Sequence, residues 1–193
     1  MEFDARDQSI QENYLRMVQF ITPRPIAWVS TSALDGTPNL APFSFFSGVG
    51  ASPPTICFAP ANGPDGRPKD TLENIRRTGE FVVNLVTEDV GLAMHRTAED
   101  VPPEVNEFAL VGVKESPSAT VTPPRVAEAA AVMECTLHSA IALGTGPGGA
   151  NLVIGHVQHF YVRDALVDQR SLHTIARAGR REYLRVDETF RYE

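Results

Sequence analysis

The sequence predicts a mainly β protein with a few short helices, and three stretches predict it. Two apolar runs, Ile26 to Ala33 and Pro38 to Ser44, flank an Asp35-Gly36 pair, the strongest short-range signal of a β-hairpin. Glu80 to Val86 (EFVVNLV) is a continuous apolar run with the length and branching of a buried strand. Two long β segments, Ala130 to Leu143 and Asn151 to Val162, are joined by Gly144-Thr145-Gly146-Pro147-Gly148-Gly149 and read as one long hairpin.

With 193 residues the chain is expected to form a single domain over 1–193, large enough to bury roughly 70% of its unfolded surface. Near-average apolar content and a formal charge of -7 describe an ordinary globular protein. That acidic balance argues against a nucleic-acid partner, which needs a basic face to displace counterions from phosphates. The polar N-terminus MEFDARDQSIQENY lacks the n- and h-regions of a signal peptide, and no uncharged apolar stretch has transmembrane length. The expectation is a cytoplasmic protein that does not engage the membrane. Cys57 and Cys135 stand apart, each in an apolar run, and are expected to be buried reduced thiols.

Taken in order, residues 8–20 place Ile10, Tyr14, Met17 and Val18 on one helical stripe. The helix stops at Thr22-Pro23-Arg24-Pro25, where each residue before proline is pushed toward extended geometry. In the hairpin that follows, both central turn residues are expected at φ > 0. Prolines 38 and 42 cannot donate to a ladder, so the second strand belongs at a sheet edge or bulge. The backbone polar groups of Asn39, Leu40 and Ala41 would then be partly unpaired beside a core and need a partner. A planar heteroaromatic with alternating donors and acceptors suits such an edge, and the hydroxyls of Ser30, Thr31, Ser44 and Ser47 suit its polar tail. The bland alternative is an edge blunted against strand addition, which needs no ligand.

Thr55 to Ala59 reads as a further buried strand, and Asn62 to Pro68 as a Gly/Pro loop. Lys69 to Gly79 is a helix: Asp70 as N-cap with Glu73 makes a capping-box pattern, Leu72 and Ile75 face inward, Arg76 and Arg77 suit the C-terminus, and Gly79 closes it. Arg67 and Lys69 just ahead of that helix start make a place for an anion. Glu88 to Ala98 reads as another helix, Ala98 to Glu107 as a loop, and Lys114 to Arg125 as a proline-marked excursion that could pack on a neighbouring subunit. The tail from Arg170 mixes short apolar runs with Arg177, Arg180, Arg181 and Arg185.

Motifs for side-chain chemistry fail one by one. Gly144, Gly146 and Gly149 match G-x-G-x-x-G in form, but the chain passes into a strand where a dinucleotide fingerprint needs a helix. His156 and His159 sit three apart on a strand and point to opposite faces, and His95, His138 and His173 lack ligand spacing. No nucleophile elbow is present. Many strands, hydroxyls and cations placed for a phosphate, and no side-chain catalyst suit a protein whose cofactor does the chemistry.

The residues resemble the flavin reductase-like family of FMN-binding split barrels. The matching stretches are PRPIAWVST at 23–31, Asp35-Gly36, Asn39-Leu40-Ala41-Pro42-Phe43-Ser44, Ser52-Pro53-Pro54, Lys69-Asp70-Thr71-Leu72-Glu73-Asn74, Glu80-Phe81-Val82-Val83-Asn84 and Val153-Ile154-Gly155-His156-Val157. The resemblance implies an antiparallel β-barrel of six strands or so with flanking helices, working as a homodimer with FMN near the subunit interface. It implies that Asn39, Leu40, Ala41 and Pro42 line the isoalloxazine, that Thr31, Ser44 and Ser47 lie near the ribityl chain or phosphate, and that Lys69, Asp70 and Thr71, with Arg67 a weaker carry-over, hold the phosphate. It leaves His159 and Arg177 to Tyr183 as borders of the open flavin face. The activity implied is hydride transfer from NADH or NADPH to flavin, with onward delivery to free flavin, a partner oxygenase or another acceptor. The alternatives are an FMN electron carrier of the flavoredoxin kind that does not use nicotinamide nucleotides, or a split barrel holding haem, a deazaflavin, pyridoxal phosphate or nothing.

Overall fold

The computed structural model describes residues 2–168, 171–186 and 190–192. In chain order the elements are α1 (Ile10–Phe20), β1 (Ala27–Ser32), β2 (Pro38–Phe43), β3 (Phe46–Ala51), β4 (Pro54–Phe58), α2 (Asp70–Thr78), β5 (Glu80–Asn84), α3 (Glu88–Arg96), α4 (Glu107–Val111), β6 (Glu115–Ser116), β7 (Arg125–Val126), β8 (Ala131–Ala142), β9 (Asn151–Val162), β10 (Ile175–Arg177) and β11 (Tyr183–Arg185). Seven strands form one sheet in the order β2-β1-β5-β8-β9-β4-β3, with every pair antiparallel.

The connection between the two edge strands dictates the shape. Unrolled, seven strands would hold β2 and β3 roughly 29 Å apart at the usual ~4.8 Å spacing. Three residue steps from Phe43 to Phe46 reach at most about 11 Å. The sheet must therefore roll until its edges approach, which makes a barrel split between β2 and β3. Packing agrees. Ala27 and Val29 of β1, Phe81 and Val83 of β5, Phe58 of β4 and Val153 of β9 share one buried cluster with Leu72 and Ile75 of α2, which plugs the interior. Trp28, Leu40, Val82 and Val132 point the other way, into a second cluster covered by Val90 and Met94 of α3 and Phe108 of α4.

Local expectations are mostly met. The β1–β2 register runs from Ala27↔Phe43 to Ser32↔Pro38, with β2 at the edge as its prolines require. The turn differs from the expected one, because only Gly36 has positive φ, at 90°. Ala33 O accepts from Gly36 N–H, Thr37 O accepts from Ala33 N–H, and the Asp35 carboxylate accepts from Thr37 N–H. This is a longer turn followed by one left-handed glycine, so Asp35 keeps ordinary backbone geometry. The long β8–β9 hairpin forms as read, and its glycine loop is tied to Asn62, whose amide donates to Gly146 O.

Four points go beyond the sequence reading or differ from it. On α1, capped by a Ser9–Glu12 box, only Val18 of the stripe is buried, while Ile10, Tyr14 and Met17 stay exposed. The Ala98 to Glu107 loop ends in a helix, α4, that the sequence reading missed. The proline-marked excursion packs on its own barrel: Pro124 O accepts from Ser30 Oγ, Val126 N–H donates to Asn84 Oδ1, and the buried Glu134 carboxylate accepts from Ala119 N–H, Thr120 N–H and Thr120 Oγ1. Cys135 is buried as expected, whereas Cys57 is half-buried on β4; both are free thiols. No helix among the described residues is long and apolar enough to cross a membrane.

Candidate functional site

The β2 edge and the start of α2 come together through a buried polar lattice. Asn39 Nδ2 donates to Thr71 Oγ1 at 3.0 Å, and Asn74 Nδ2 donates to Thr31 Oγ1 at 3.1 Å. All four side chains are buried, so the lattice fixes α2 against the first hairpin at a set height. Asp70 is not the N-cap: Lys69 holds that position in extended backbone, no side chain caps the helix, and Glu73 instead faces Arg76 and Arg77. The helix thus begins one residue earlier than expected, with Asp70 already its first helical residue. Leu72 and Glu73 N–H donate to Lys69 O, which leaves the N–H groups of Asp70 and Thr71 as the orphan donors of the helix start.

A cavity of about 110 Å³ opens there, lined by Asn39, Ala41, Pro42, Lys69, Thr71 and Thr97 among others. Thr97 is held by the buried Trp28, whose Nε1 donates to its hydroxyl at 2.9 Å. The cavity shares Lys69, Asp70, Asp100 and Val101 with a larger one of about 580 Å³, which also meets Arg67. Both cations carry a carboxylate partner: Lys69 Nζ pairs with Asp100, and Arg67 with Asp65. Hydrogen bonds from Arg67 hold the Asp65 carboxyl below its ordinary range. On the edge itself Glu107 accepts from Leu40 N–H at 3.1 Å, and burial pushes its carboxyl above the usual range, with Asp70 adding to the push.

The residues singled out in the sequence separate into groups. Asn39, Ala41, Pro42, Lys69, Asp70 and Thr71 line one cavity. Leu40 contributes backbone only, because its side chain is in the core, and Thr31 is fully buried within the lattice, away from the cavity wall. Ser44 sits at the far end of the edge, accepting a long contact from Arg24 Nε at 3.4 Å. Ser47 on β3 lines a different cavity of about 460 Å³ with Pro23, Ile26, Met133 and Ile175, and its hydroxyl donates to Gly48 O. His159 is an exposed residue 3.7 Å from Glu134, and Arg177 and Tyr183 belong to a cluster with His95, whose Nδ1 lies 2.8 Å from the Tyr183 hydroxyl.

Three features escaped the sequence. Arg24 is buried and donates from Nη1 to Val18 O and Ile21 O at the end of α1. His138 and His156, eighteen residues apart, bring ring nitrogens within 3.1 Å. Glu107 is the third, and its position just before an apolar Phe-Ala-Leu-Val run after Asn106, a capping residue, was the available signal. Among the described residues no group of three or more His, Cys, Asp or Glu is placed to hold a metal ion.

A family model described as a flavin reductase like domain matches residues 19–177. The chain belongs to the flavin reductase-like family. Its sheet is the split barrel of that family. An uncharacterized protein of Halalkalibacterium halodurans is 37% identical over 98% of this chain and 94% of its own length. Among solved structures, nitrilotriacetate monooxygenase component B from Bacillus cereus superposes with a TM-score of 0.93 at 32% identity, covering 100% of this chain and 98% of that one. The 2-nitrobenzoate 2-nitroreductase of Pseudomonas fluorescens superposes with a TM-score of 0.87 at 28% identity, covering 100% and 95%. Family membership and these neighbours make the chain a flavoprotein-type oxidoreductase fold.

Proposed function

We propose that the protein is an FMN-dependent oxidoreductase that draws hydride from NADH or NADPH and passes electrons to free flavin, a partner oxygenase or another acceptor. The observation that carries this reading is the meeting of the β2 edge, Lys69 and the uncapped start of α2 around one cavity. A phosphate suits Lys69 and the first-turn N–H groups, which offer positive charge and donors together. It would take the place of Asp100 beside the ammonium. Asn39 and Thr71, each satisfied by the other, hold the walls in place, and Ala41 and Pro42 leave room for a flat ring against the strand. The chemistry that FMN supplies when bound is acceptance of hydride and release of electrons; the chain's task is to bind, orient and exclude water.

A space of about 110 Å³ is smaller than ligand pockets usually are, at ~300 Å³ or more. We therefore infer that a second copy completes the seat, in a homodimer. The exposed Ile10 (69%) and Met17 on α1, and Val49 on β3, support that partner, since apolar surface of this kind marks an interaction face. The resemblance to a monooxygenase component supports an oxygenase among the acceptors.

The test is the visible spectrum of the purified protein, chromatography of any flavin it releases, and anaerobic addition of NADH and NADPH. Release of FMN and bleaching of the flavin bands by either nucleotide is expected. Binding of FMN without bleaching by either would replace the reductase reading with that of an electron carrier.

A further inference from the structure

On β2 the residues whose backbone groups face away from β1 are Pro38, Leu40 and Pro42, opposite Ser32, Ser30 and Trp28. The two prolines have no N–H. Leu40 is thus the one outward donor of this stretch, and it donates to Glu107 Oε2. A carboxylate from α4 completes an edge that proline has otherwise stripped of donors.

Glu107 is held firmly there. It opens α4, whose N-cap Asn106 accepts from Phe108 and Ala109 N–H and whose Phe108 is anchored in the core. Its residue is 6% exposed, yet it lines the cavity that Asn39, Ala41, Lys69 and Thr71 also line. The charges that share its cavity wall are Lys69 and Asp70 at the start of α2 and Glu99 and Asp100 after α3. Asp100 engages the Lys69 ammonium, and among the described residues no cation forms an ion pair with Glu107. A buried acid among other acids, at the wall of a cavity built for an anion, has to respond when negative charge arrives.

We propose that Glu107 is a positioning residue whose protonation is coupled to anion entry at the β2 edge: FMN binds with uptake of a solvent proton by the Glu107 carboxylate. The inference rests on the FMN reading above and deepens it. The proton does two things. It removes a like charge from beside the incoming phosphate, and it turns a pure acceptor into a group that can also donate into the cavity. Leu40 N–H keeps an acceptor in either state, so the strand edge stays in register throughout. Linkage sets the sign. An anion that raises the proton affinity of Glu107 binds the protonated form more tightly, so affinity is highest at low pH and falls as pH rises through the free-state pKa. A rise of one pKa unit on binding corresponds to an about tenfold loss of affinity across the titration.

The experiment measures FMN dissociation constants by flavin fluorescence quenching from the ordinary glutamate range, about pH 4.5, up to pH 9 for wild type and Glu107→Gln. Calorimetry in two buffers of different ionisation enthalpy counts protons taken up. The titration of the FMN phosphate itself is common to both proteins and cancels in the difference. Wild type is expected to lose about tenfold more affinity than E107Q over this range and to take up more protons, with E107Q the tighter binder at pH 9. Equal pH profiles and equal proton uptake overturn the inference while leaving the FMN reading intact. Absence of FMN binding by wild type at every pH overturns both. Should E107Q fail to fold, infrared difference spectra of wild type with and without FMN decide: a new protonated-carboxyl band supports the inference, and its absence overturns it.

Discussion

Replacing Lys69 and Thr71 in turn separates a residue that meets the ligand from one that builds the site. Lys69 is partly exposed and paired with a more exposed Asp100, and exposed pairs contribute about 0–1 kcal/mol. Lys69→Ala is therefore expected to shift Tm by no more than about 2–4 °C. A charge-assisted bond to phosphate is worth roughly 1.5–3 kcal/mol, so FMN affinity should fall about 10- to 150-fold. Thr71→Ala behaves differently. The Thr71 hydroxyl is 1% exposed as a residue and accepts from Asn39 Nδ2, and its removal leaves a buried amide donor without an acceptor. That costs about 1–3 kcal/mol, a fall in Tm of about 2–12 °C for a chain of this size. Thermal melts and FMN titrations of both variants check the contrast. Wild-type FMN affinity in K69A refutes the phosphate assignment. A wild-type melting curve in T71A refutes the lattice.

Other outcomes follow from single contacts. A methyl group on Gly155 would clash with Phe81 Cζ inside the barrel, so Gly155→Ala should destabilise by about 1–3 kcal/mol; denaturant midpoints measure it, and an unchanged midpoint contradicts the packing described. Burial raises the Glu134 carboxyl, but the Thr120 hydroxyl and the Ala119 and Thr120 N–H groups outweigh it, and the net shift is downward. Its stabilisation is then complete above the ordinary glutamate range and is lost as pH falls through the folded value. Hydrogen exchange should show Ala119 and Thr120 losing protection in acid, and at neutral pH in Glu134→Gln; continued protection in both cases removes Glu134 as the anchor. Burial raises the Cys135 thiol, so a thiol reagent should label Cys57 first, with Cys135 reacting only on unfolding.

Periodicity and turn chemistry made much of the barrel legible. The Asp35-Gly36 hairpin, the edge position forced by Pro38 and Pro42, the Gly79 helix stop and the β8–β9 hairpin are all local signals, and local signals survive folding. Other features depend on what lies across the fold. The stripe on α1 marks an amphipathic helix, and periodicity is silent about what covers it. The short α4 was hidden in a Pro- and Glu-rich stretch, where five helical residues carry too little pattern to stand out. Arg24 read as part of a proline-broken loop, yet its guanidinium closes the end of α1 with two bonds to carbonyls. Nothing in residues 23–25 alone announces those acceptors.

The site was half legible for the same reason. The family resemblance implied that Asn39, Lys69 and Thr71, from two separate motifs, lie near one another, and one cavity is lined by all three. The role expected of the prolines needs revision. They were read as freeing the backbone of Asn39, Leu40 and Ala41 for a ring, but pairing alternates along a strand. Asn39 and Ala41 point their backbone groups inward to Thr31 and Val29, and only the Leu40 N–H faces out, where Glu107 meets it. An edge with prolines at two outward positions and a buried acid at the third is closed to another strand. On the reading proposed above, a planar ligand on this edge finds its donors elsewhere, from Lys69, the start of α2 and Glu107 once it has taken up its proton. The same three residues that blunt the edge thus restrict what can dock on it, which ties resistance to strand addition and ligand selection to one short segment, Pro38 to Pro42.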